Sequence, residues 1–142
     1  MKLAKIYVAI GIVFLGLCFS SGSIASEEKE AQALVAARTW LALVDAGKYG
    51  DSWETAAAYF KNAITKEKWE QMLTAVRNPL GRLVTRELIS KTYTQSLPGA
   101  PDGEYVVIQF ATSFENKKSA IETITPMLDN DGEWRVSGYY IK

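Results

Sequence analysis

The side chains that could do chemistry are few, because the sequence contains no histidine and a single cysteine, Cys18. A serine–histidine–aspartate triad is therefore excluded. Thiol catalysis and thiolate zinc sites are excluded from everything after Cys18. No glycine-rich phosphate loop is present. General acid–base chemistry is left to carboxylates and tyrosines, and we expect no cofactor and no metal site.

Glu122 is the one candidate for a catalytic residue. It stands between Ile121 and Thr123 in an extended segment, so strand alternation places it on the face of Ala120 and Ile124. Burial on a concave face would make its carboxylate a stronger base. The alternatives are a solvated glutamate or a partner for an arginine. The base hypothesis therefore requires a buried Glu122 with no arginine within reach.

Three arginines cluster around the predicted junction of helices and sheet. Arg77 lies in a helix-terminal segment, and the two-residue period places Arg82 and Arg86 on one face of the first strand. Such arginines can bind a carboxylate or phosphate ligand bidentately. The structural alternative, which we favour, is that they bond helix-end carbonyls or pair with a glutamate such as Glu54, Glu87 or Glu122.

Aromatic residues are the other candidate for a binding site. Trp53 and Trp69 lie on predicted helices, and most aromatic side chains are expected to fill a core in which helices plug a curved sheet. The functional alternative is an apolar pocket with a few polar groups, to which Tyr105 and Gln109 on one face of the second strand would contribute. A third interpretation, which depends on analogy with similar architectures, makes the outer sheet face a dimer interface.

The first 25 residues have the pattern of a cleavable secretory signal. Lys2 and Lys5 precede an apolar run over residues 6–19, and small residues before Ser26 predict cleavage between Ala25 and Ser26. The alternatives are an uncleaved anchor and a lipoprotein modified at Cys18. Cleavage would leave one domain, residues 26–142, in the periplasm or secreted.

The charge of this mature domain is slightly acidic. The whole chain has 16 basic and 16 acidic residues. Removing the two lysines of the signal leaves 14 minus 16, or −2. A nucleic-acid partner is therefore not expected, because such a protein needs a basic surface.

The mature domain divides into a helical half and an extended half. Apolar spacing predicts a first helix from Glu27 to Ala46. A second helix is predicted to begin at Asp51, which forms a capping box with Glu54. A third is predicted to be capped by Thr65 and to end at Asn78–Pro79. The apolar stripe of the third helix is predicted to comprise Trp69, Met72, Leu73 and Val76.

Four strands follow, separated by turn residues. They are predicted at Arg82–Gln95, Tyr105–Phe114, Ala120–Leu128 and Trp134–Ile141. Pro126 indicates a sheet edge or a bulge. Asp131–Gly132 indicates a hairpin, which explains residues 129–132 better than a calcium loop does. The fold class is therefore α+β, with helices on one face of a curved four-stranded antiparallel sheet.

Several segments together resemble the family called domain of unknown function (DUF) 4019. They are Trp40–Leu41, DAGKY at 45–49, SWE at 52–54, Trp69, RNPLG at 77–81 with Arg86, LPGAPDGEY at 97–105 and DGEWRV at 131–136. The resemblance implies an exported bacterial protein without assigned activity. It also implies an architecture similar to the cystatin-like cone of the nuclear transport factor 2-like superfamily, whose members include enzymes, binding domains and dimerisation modules.

Three functions remain open from the sequence. We favour a non-enzymatic periplasmic binding or interaction module, with a small apolar or anionic ligand or a periplasmic protein as partner. The alternatives are an isomerase- or lyase-like enzyme with Glu122 as base, and a homodimerising structural domain.

Overall fold

The computed structural model describes residues 21–142, so most of the predicted signal lies outside the described residues. Four helices precede four strands. They are α1 (Ser21–Asp45), α2 (Tyr49–Glu54), α3 (Ala58–Ala63), α4 (Lys66–Leu80), β1 (Leu83–Thr94), β2 (Tyr105–Phe114), β3 (Lys117–Leu128) and β4 (Trp134–Ile141). The predicted cleavage point, Ala25–Ser26, falls inside α1.

The strands form one open antiparallel sheet in the order β1-β2-β3-β4. The predicted α+β class, with helices against a four-stranded antiparallel sheet, is therefore confirmed. Because β3 pairs with both β2 and β4, Pro126 does not lie on an edge strand. The register instead shifts between Thr125 and Pro126, so the bulge interpretation of this proline is confirmed.

Side chains alternate between two faces of the sheet. On the inner face, Val106, Ile108 and Phe110 of β2 and Ile124 of β3 are fully buried. They form one hydrophobic core with residues of α1 and α4, including Ala37, Trp40, Leu41, Val44, Trp69 and Leu73. Since the core residues of the helices contact these side chains, the helices cover the inner face.

The second predicted helix is two short helices. Helix α2 begins at Tyr49 without a side-chain cap, so Asp51 lies in its first turn and the predicted capping box is wrong. Ala57 is extended (φ −60°, ψ 150°) and its N–H donates to the carbonyl of Val136, 2.8 Å away. This bond to β4 breaks the helix between Glu54 and Ala58.

Helix α4 begins as predicted and ends slightly later. The Thr65 hydroxyl accepts a hydrogen bond from the N–H of Lys68, which confirms the predicted cap. The helix continues through Pro79 and stops at Gly81, whose φ of 73° favours glycine. Its buried residues are Trp69, Leu73 and Arg77, whereas Met72 and Val76 are exposed. The predicted apolar stripe was therefore wrong by part of a turn.

Candidate functional site

A buried group of charged and hydroxyl side chains lies where the helices meet the sheet. We call it the ionic cluster. It consists of Asp45 from the end of α1, Arg77 from α4, Arg86 from β1, Thr112 from β2, Glu122 from β3 and Tyr139 from β4. It therefore takes one member from each strand and one from each of the two long helices.

Glu122 is completely buried and bonded through both carboxylate oxygens. Oε1 accepts from Arg86 Nε at 2.7 Å and from the Thr112 hydroxyl at 2.5 Å. Oε2 accepts from Arg86 Nη2 at 3.2 Å and from the Tyr139 hydroxyl. These four bonds occupy the lone-pair positions of the carboxylate. The expected burial is found, but the arginine-free arrangement that a catalytic base would need is not.

Arg86 joins the two carboxylates of the cluster. Besides its two bonds to Glu122, it donates from Nη1 to Asp45 Oδ2 at 2.7 Å and from Nη2 to Asp45 Oδ1 at 3.0 Å. Burial acts to lower the pKa of Arg86, but the two carboxylates outweigh it and raise that pKa. The arginine is thus permanently charged, and the prediction that it pairs with Glu122 is confirmed.

Asp45 is the second carboxylate of the cluster and accepts hydrogen bonds from both arginines. Burial acts to raise its pKa, but hydrogen bonds and charges from Arg86 and then Arg77 lower it overall. Tyr139 differs, because burial and then the neighbouring Glu122 raise its pKa and keep its hydroxyl protonated. With two arginines and two carboxylates, the cluster is electrically neutral.

Arg77 is held less completely than Arg86. Its side chain is buried and makes one hydrogen bond, from Nη2 to Asp45 Oδ1 at 2.9 Å. Its guanidinium lies over the ring of Phe114, 4.8 Å from the centroid. Within residues 21–142, Nε and Nη1 of Arg77 are buried without a hydrogen-bond partner.

Arg82 does not join the cluster, contrary to the prediction that it shares a face with Arg86. Its side chain is 90% exposed and bonds Glu115 at 2.6 Å. The register of β1 against β2 shifts between Leu83 and Thr85. This extra residue breaks the two-residue alternation between the two arginines.

The indole nitrogens of the candidate tryptophans are used internally. Trp69 donates to the hydroxyl of Ser52 at 2.9 Å, and Trp40 donates to the carbonyl of the same serine at 2.7 Å. Trp53 donates to the carbonyl of Ile64 at 2.8 Å. These bonds tie α1, α2 and α4 together, so the indole N–H groups are not free for a ligand.

Tyr105 and Gln109 occupy odd positions of β2 and lie apart from the cluster. Tyr105 is buried and its hydroxyl donates to the carbonyl of Pro101 at 2.6 Å. Gln109 is half-buried, on the face away from the helices, and its amide is 3.4 Å from the Thr123 hydroxyl. Of the six predicted binding residues, the structure brings Arg77 and Arg86 together through Asp45, whereas Trp69 lies in the hydrophobic core and Trp53 packs against it.

A surface groove lies between α1 and the start of β4. This groove has a volume of about 680 Å³. Its lining includes Gln32, Val35, Thr39, Trp40, Trp134 and Arg135. It is open to the surface and separate from the ionic cluster.

The face of the sheet away from the helices is unusual because its centre has no charged residue. We call this surface the outer face, and define it by the uncharged residues that alternate with the core positions. They are Val107, Gln109, Ala111 and Ser113 of β2, Ile121, Thr123, Thr125 and Met127 of β3, and Gly138 and Tyr140 of β4. Three charged residues lie at its margins. Glu87 of β1 is opposite Ala111, Arg135 of β4 is opposite Met127, and Lys142 is bonded through its backbone to Ile121.

The hairpin between β3 and β4 is held by an arginine. Arg135 donates to Asp129 at 3.0 Å and to Asp131 at 2.8 Å. The hydrogen bonds from Arg135 lower the pKa of Asp131 to about 2. Among residues 21–142, no group of three or more histidine, cysteine, aspartate or glutamate side chains is arranged to hold a metal ion.

Two further members of the cluster, Asp45 and Thr112, could have been predicted from their positions in the sequence. Asp45 is an acid at the carboxyl end of a helix, where the helix dipole disfavours negative charge, so a specific partner was to be expected. Thr112 occupies an inner position between the buried Phe110 and Phe114. A hydroxyl there needs a buried acceptor.

The comparisons with known proteins identify a family. The model of the family described as a protein of unknown function (DUF4019) matches residues 36–139. No curated protein and no solved structure matches significantly. The similarity to a cystatin-like cone stays a prediction, and no helix within residues 21–142 has the length and apolar character to cross a membrane. The match spans the ionic cluster, the outer face except Tyr140, and the last ten residues of α1, and the chain therefore belongs to the DUF4019 family.

Proposed function

We propose that this chain is an exported, non-enzymatic interaction module that binds a protein partner through its outer face. The observation that carries the proposal is the uncharged centre of that face. Charged residues make up 23% of the chain, yet the eight outward-facing residues of the two central strands, at 107–113 and 121–127, include none. Depletion of charge at the centre with charge at the rim is the usual composition of a protein interface.

Exposure supports the same surface. Ala111 is exposed, Ile121 is 36% exposed and Tyr140 is 51% exposed. Small residues, Ala111, Ser113 and Gly138, adjoin these larger side chains and would let a partner approach the backbone closely. A tyrosine with an accessible ring is a common anchor of such interfaces.

The two edges of the sheet are poor sites for a partner strand. Strand β1 has two register shifts, and the Glu30 carboxylate accepts a hydrogen bond from the N–H of Tyr93 at 3.1 Å. On β4 the carbonyl of Val136 is already bonded to Ala57. Bulges and covered backbone groups are the devices by which edge strands avoid pairing. Association through the outer face is therefore favoured over strand addition.

The interior favours binding over catalysis. Both carboxylates of the ionic cluster accept hydrogen bonds through both oxygens. The indole donors of Trp40, Trp53 and Trp69 are bonded within the domain. Secretion after cleavage near Ala25–Ser26 is part of the proposal and depends on the sequence pattern of residues 1–25.

Site-specific photo-crosslinking in the exporting cell tests this proposal. A photoreactive residue at Ala111 should give discrete protein adducts. The same residue at Ala75, an exposed alanine on α4, is the matched control and should give few. Equal yields from the two positions, or no adduct from position 111, would contradict the proposal.

A small apolar ligand in the groove between α1 and β4 is a second candidate function. The groove volume of about 680 Å³ is in the range of small-molecule sites, and Val35, Trp40 and Trp134 give it an apolar wall. A thermal-shift screen should then find compounds that stabilise the protein, and Val35→Arg should abolish that effect. Stabilisation that survives Val35→Arg would place the ligand elsewhere.

A further inference from the structure

We infer that a cleft between the carboxyl ends of helices α1 and α4 binds a small carboxylate ligand. We call it the Arg77 cleft. It lies where the last turns of the two helices meet the start of β1 and the β2–β3 hairpin. The inference goes beyond the proposed function, because it concerns a different surface and a different kind of ligand.

The Arg77 cleft is small and mainly polar. Its volume is about 330 Å³, at the lower end of the range for small-molecule sites. A ligand of a few carbon atoms therefore fits it better than a large one. The polar side chains in its lining are Asp45, Tyr49, Arg77, Asn78, Arg82 and Glu115.

Arg77 gives the cleft a set of unused hydrogen-bond donors. Its side chain is 4% exposed, and its Nε and Nη1 have no hydrogen-bond partner within residues 21–142. Native proteins satisfy nearly all buried donors with protein groups, ordered water or an ion. Because Arg77 forms part of the wall of the cleft, an acceptor that enters the cleft approaches its guanidinium. The arginine therefore favours a ligand with acceptor oxygens.

The acceptors that the chain itself offers near Arg77 are already bonded. Asp45 accepts two hydrogen bonds from Arg86 and one from Arg77. The side-chain oxygen of Asn78 accepts one from the Tyr49 hydroxyl at 3.2 Å. Backbone carbonyls at both helix ends are bonded as well, namely those of Leu43, Val44, Asn78, Pro79 and Leu80. These bonds cap the helix ends, which weakens the negative potential that would repel an anion there.

Arg82 adds a second positive charge at the opening of the cleft. Its side chain is 90% exposed and bonds the exposed Glu115 through Nε at 2.6 Å. Exposed ion pairs of this kind contribute little free energy, so the side chain is free to turn towards a ligand. A ligand in the cleft thus meets one arginine in the wall and one at the opening.

The charges around the cleft favour a carboxylate over a doubly charged oxyanion. The lining contains two carboxylates and two guanidinium groups, so its net charge is zero. Asp45 and Glu115 repel a ligand with two negative charges more than a ligand with one. Guanidinium groups also bind a planar carboxylate through paired hydrogen bonds.

Nuclear magnetic resonance of the purified full chain at neutral pH, titrated with sodium propionate, tests the inference. The Nε–Hε signal of Arg77 should shift and reach saturation. Sodium chloride at the same ionic strength should leave the signal in place, because chloride is not a planar oxygen ligand. Sodium sulfate should bind more weakly than propionate.

Substitutions of the two arginines test their roles, with affinity for propionate measured by isothermal titration calorimetry. Arg82→Gln should weaken binding about tenfold, because it removes a hydrogen bond to a charged ligand and lies outside the core. Arg77→Lys keeps the charge but loses the planar donors, so it should weaken binding at least as much. Arg38→Gln, which changes an exposed arginine of α1 outside the lining, is the matched control and should leave the affinity unchanged.

Each result supports or overturns a stated part of the inference. If propionate gives no shift at Arg77, or if chloride gives the same shift, the donors are satisfied by water and the inference is overturned. Sulfate that binds as tightly as propionate overturns the choice of a carboxylate. An unchanged affinity in Arg82→Gln overturns the second contact. Since Arg82 is exposed, this variant decides the matter even if circular dichroism shows that Arg77→Lys does not fold.

Discussion

Replacing Glu122 by glutamine should be among the most damaging single changes in the protein. The side chain is fully buried and accepts four hydrogen bonds, two of them from Arg86. Glutamine keeps the shape but loses the negative charge, and its amide N–H₂ group would face donors. Arg86 would retain only Asp45 as an anionic partner.

The size of the effect follows from the burial of the pair. Removing one partner of a buried ion pair typically costs about 3–5 kcal/mol, since it leaves an uncompensated buried charge. A domain of roughly 120 residues has a total stability of about 6–18 kcal/mol. At about 4 °C per kcal/mol, the melting temperature should fall by about 12–20 °C.

Urea unfolding at pH 7, followed by tryptophan fluorescence, measures this loss. Glu115→Gln is the matched control, because Glu115 pairs with the 90%-exposed Arg82 and should change the unfolding midpoint little. Arg86→Met combined with Glu122→Gln should cost less than the sum of the single changes. If Glu122→Gln unfolds at the same urea concentration as Glu115→Gln, the reasoning about the cluster is wrong.

Three further predictions concern the same interior. Arg77→Met should destabilise the protein less than Arg86→Met, because Arg77 makes one hydrogen bond and leaves two buried donors unpaired; equal losses in urea unfolding would contradict this. The pKa of Asp45 is lower in the folded protein than its ordinary value of 3.8, so its contribution to stability is complete above pH 3.8 and is lost as the pH falls through the folded-state pKa. Asp45→Asn should therefore flatten the fall in the free energy of unfolding at acidic pH, and an unchanged slope would refute the assignment. Ser52→Ala should cost about 1–3 kcal/mol, because it removes the acceptor of the buried Trp69 N–H. It should also shift the tryptophan emission, and a wild-type spectrum with wild-type stability would contradict it.

The fold class was predictable because it depends on local patterns. Each of these patterns can be recognised from a few neighbouring residues. They are the alternation along residues 105–114, the helix cap at Thr65, and the turn residues at 97–103 and 131–132. The break between α2 and α3 was not, because it depends on the hydrogen bond from Ala57 to Val136 on a distant strand. Nothing in the residues around Ala57 indicates that partner.

The candidate site was predictable only in part, for the same reason. Pairing of Arg86 with Glu122 was one of several alternatives, and the sequence could not choose among them because the two residues are 36 positions apart. Arg82 was misplaced because a register shift in β1 leaves no mark in the spacing of the arginines. The residues of the outer face come from three strands, so they can be recognised as one surface only when the strand register is known.

The ionic cluster also bears on how the chain folds. The bonds that join Arg86 to Asp45 and to Glu122 link residues 41 and 36 positions apart, so they require helix α1 and three strands to be assembled first. Contacts between residues far apart in sequence form late, after the entropy of closing the intervening chain has been lost. Interactions absent from the transition state slow unfolding without speeding folding. The cluster should therefore act mainly as a kinetic barrier to unfolding, which prolongs the lifetime of the folded domain.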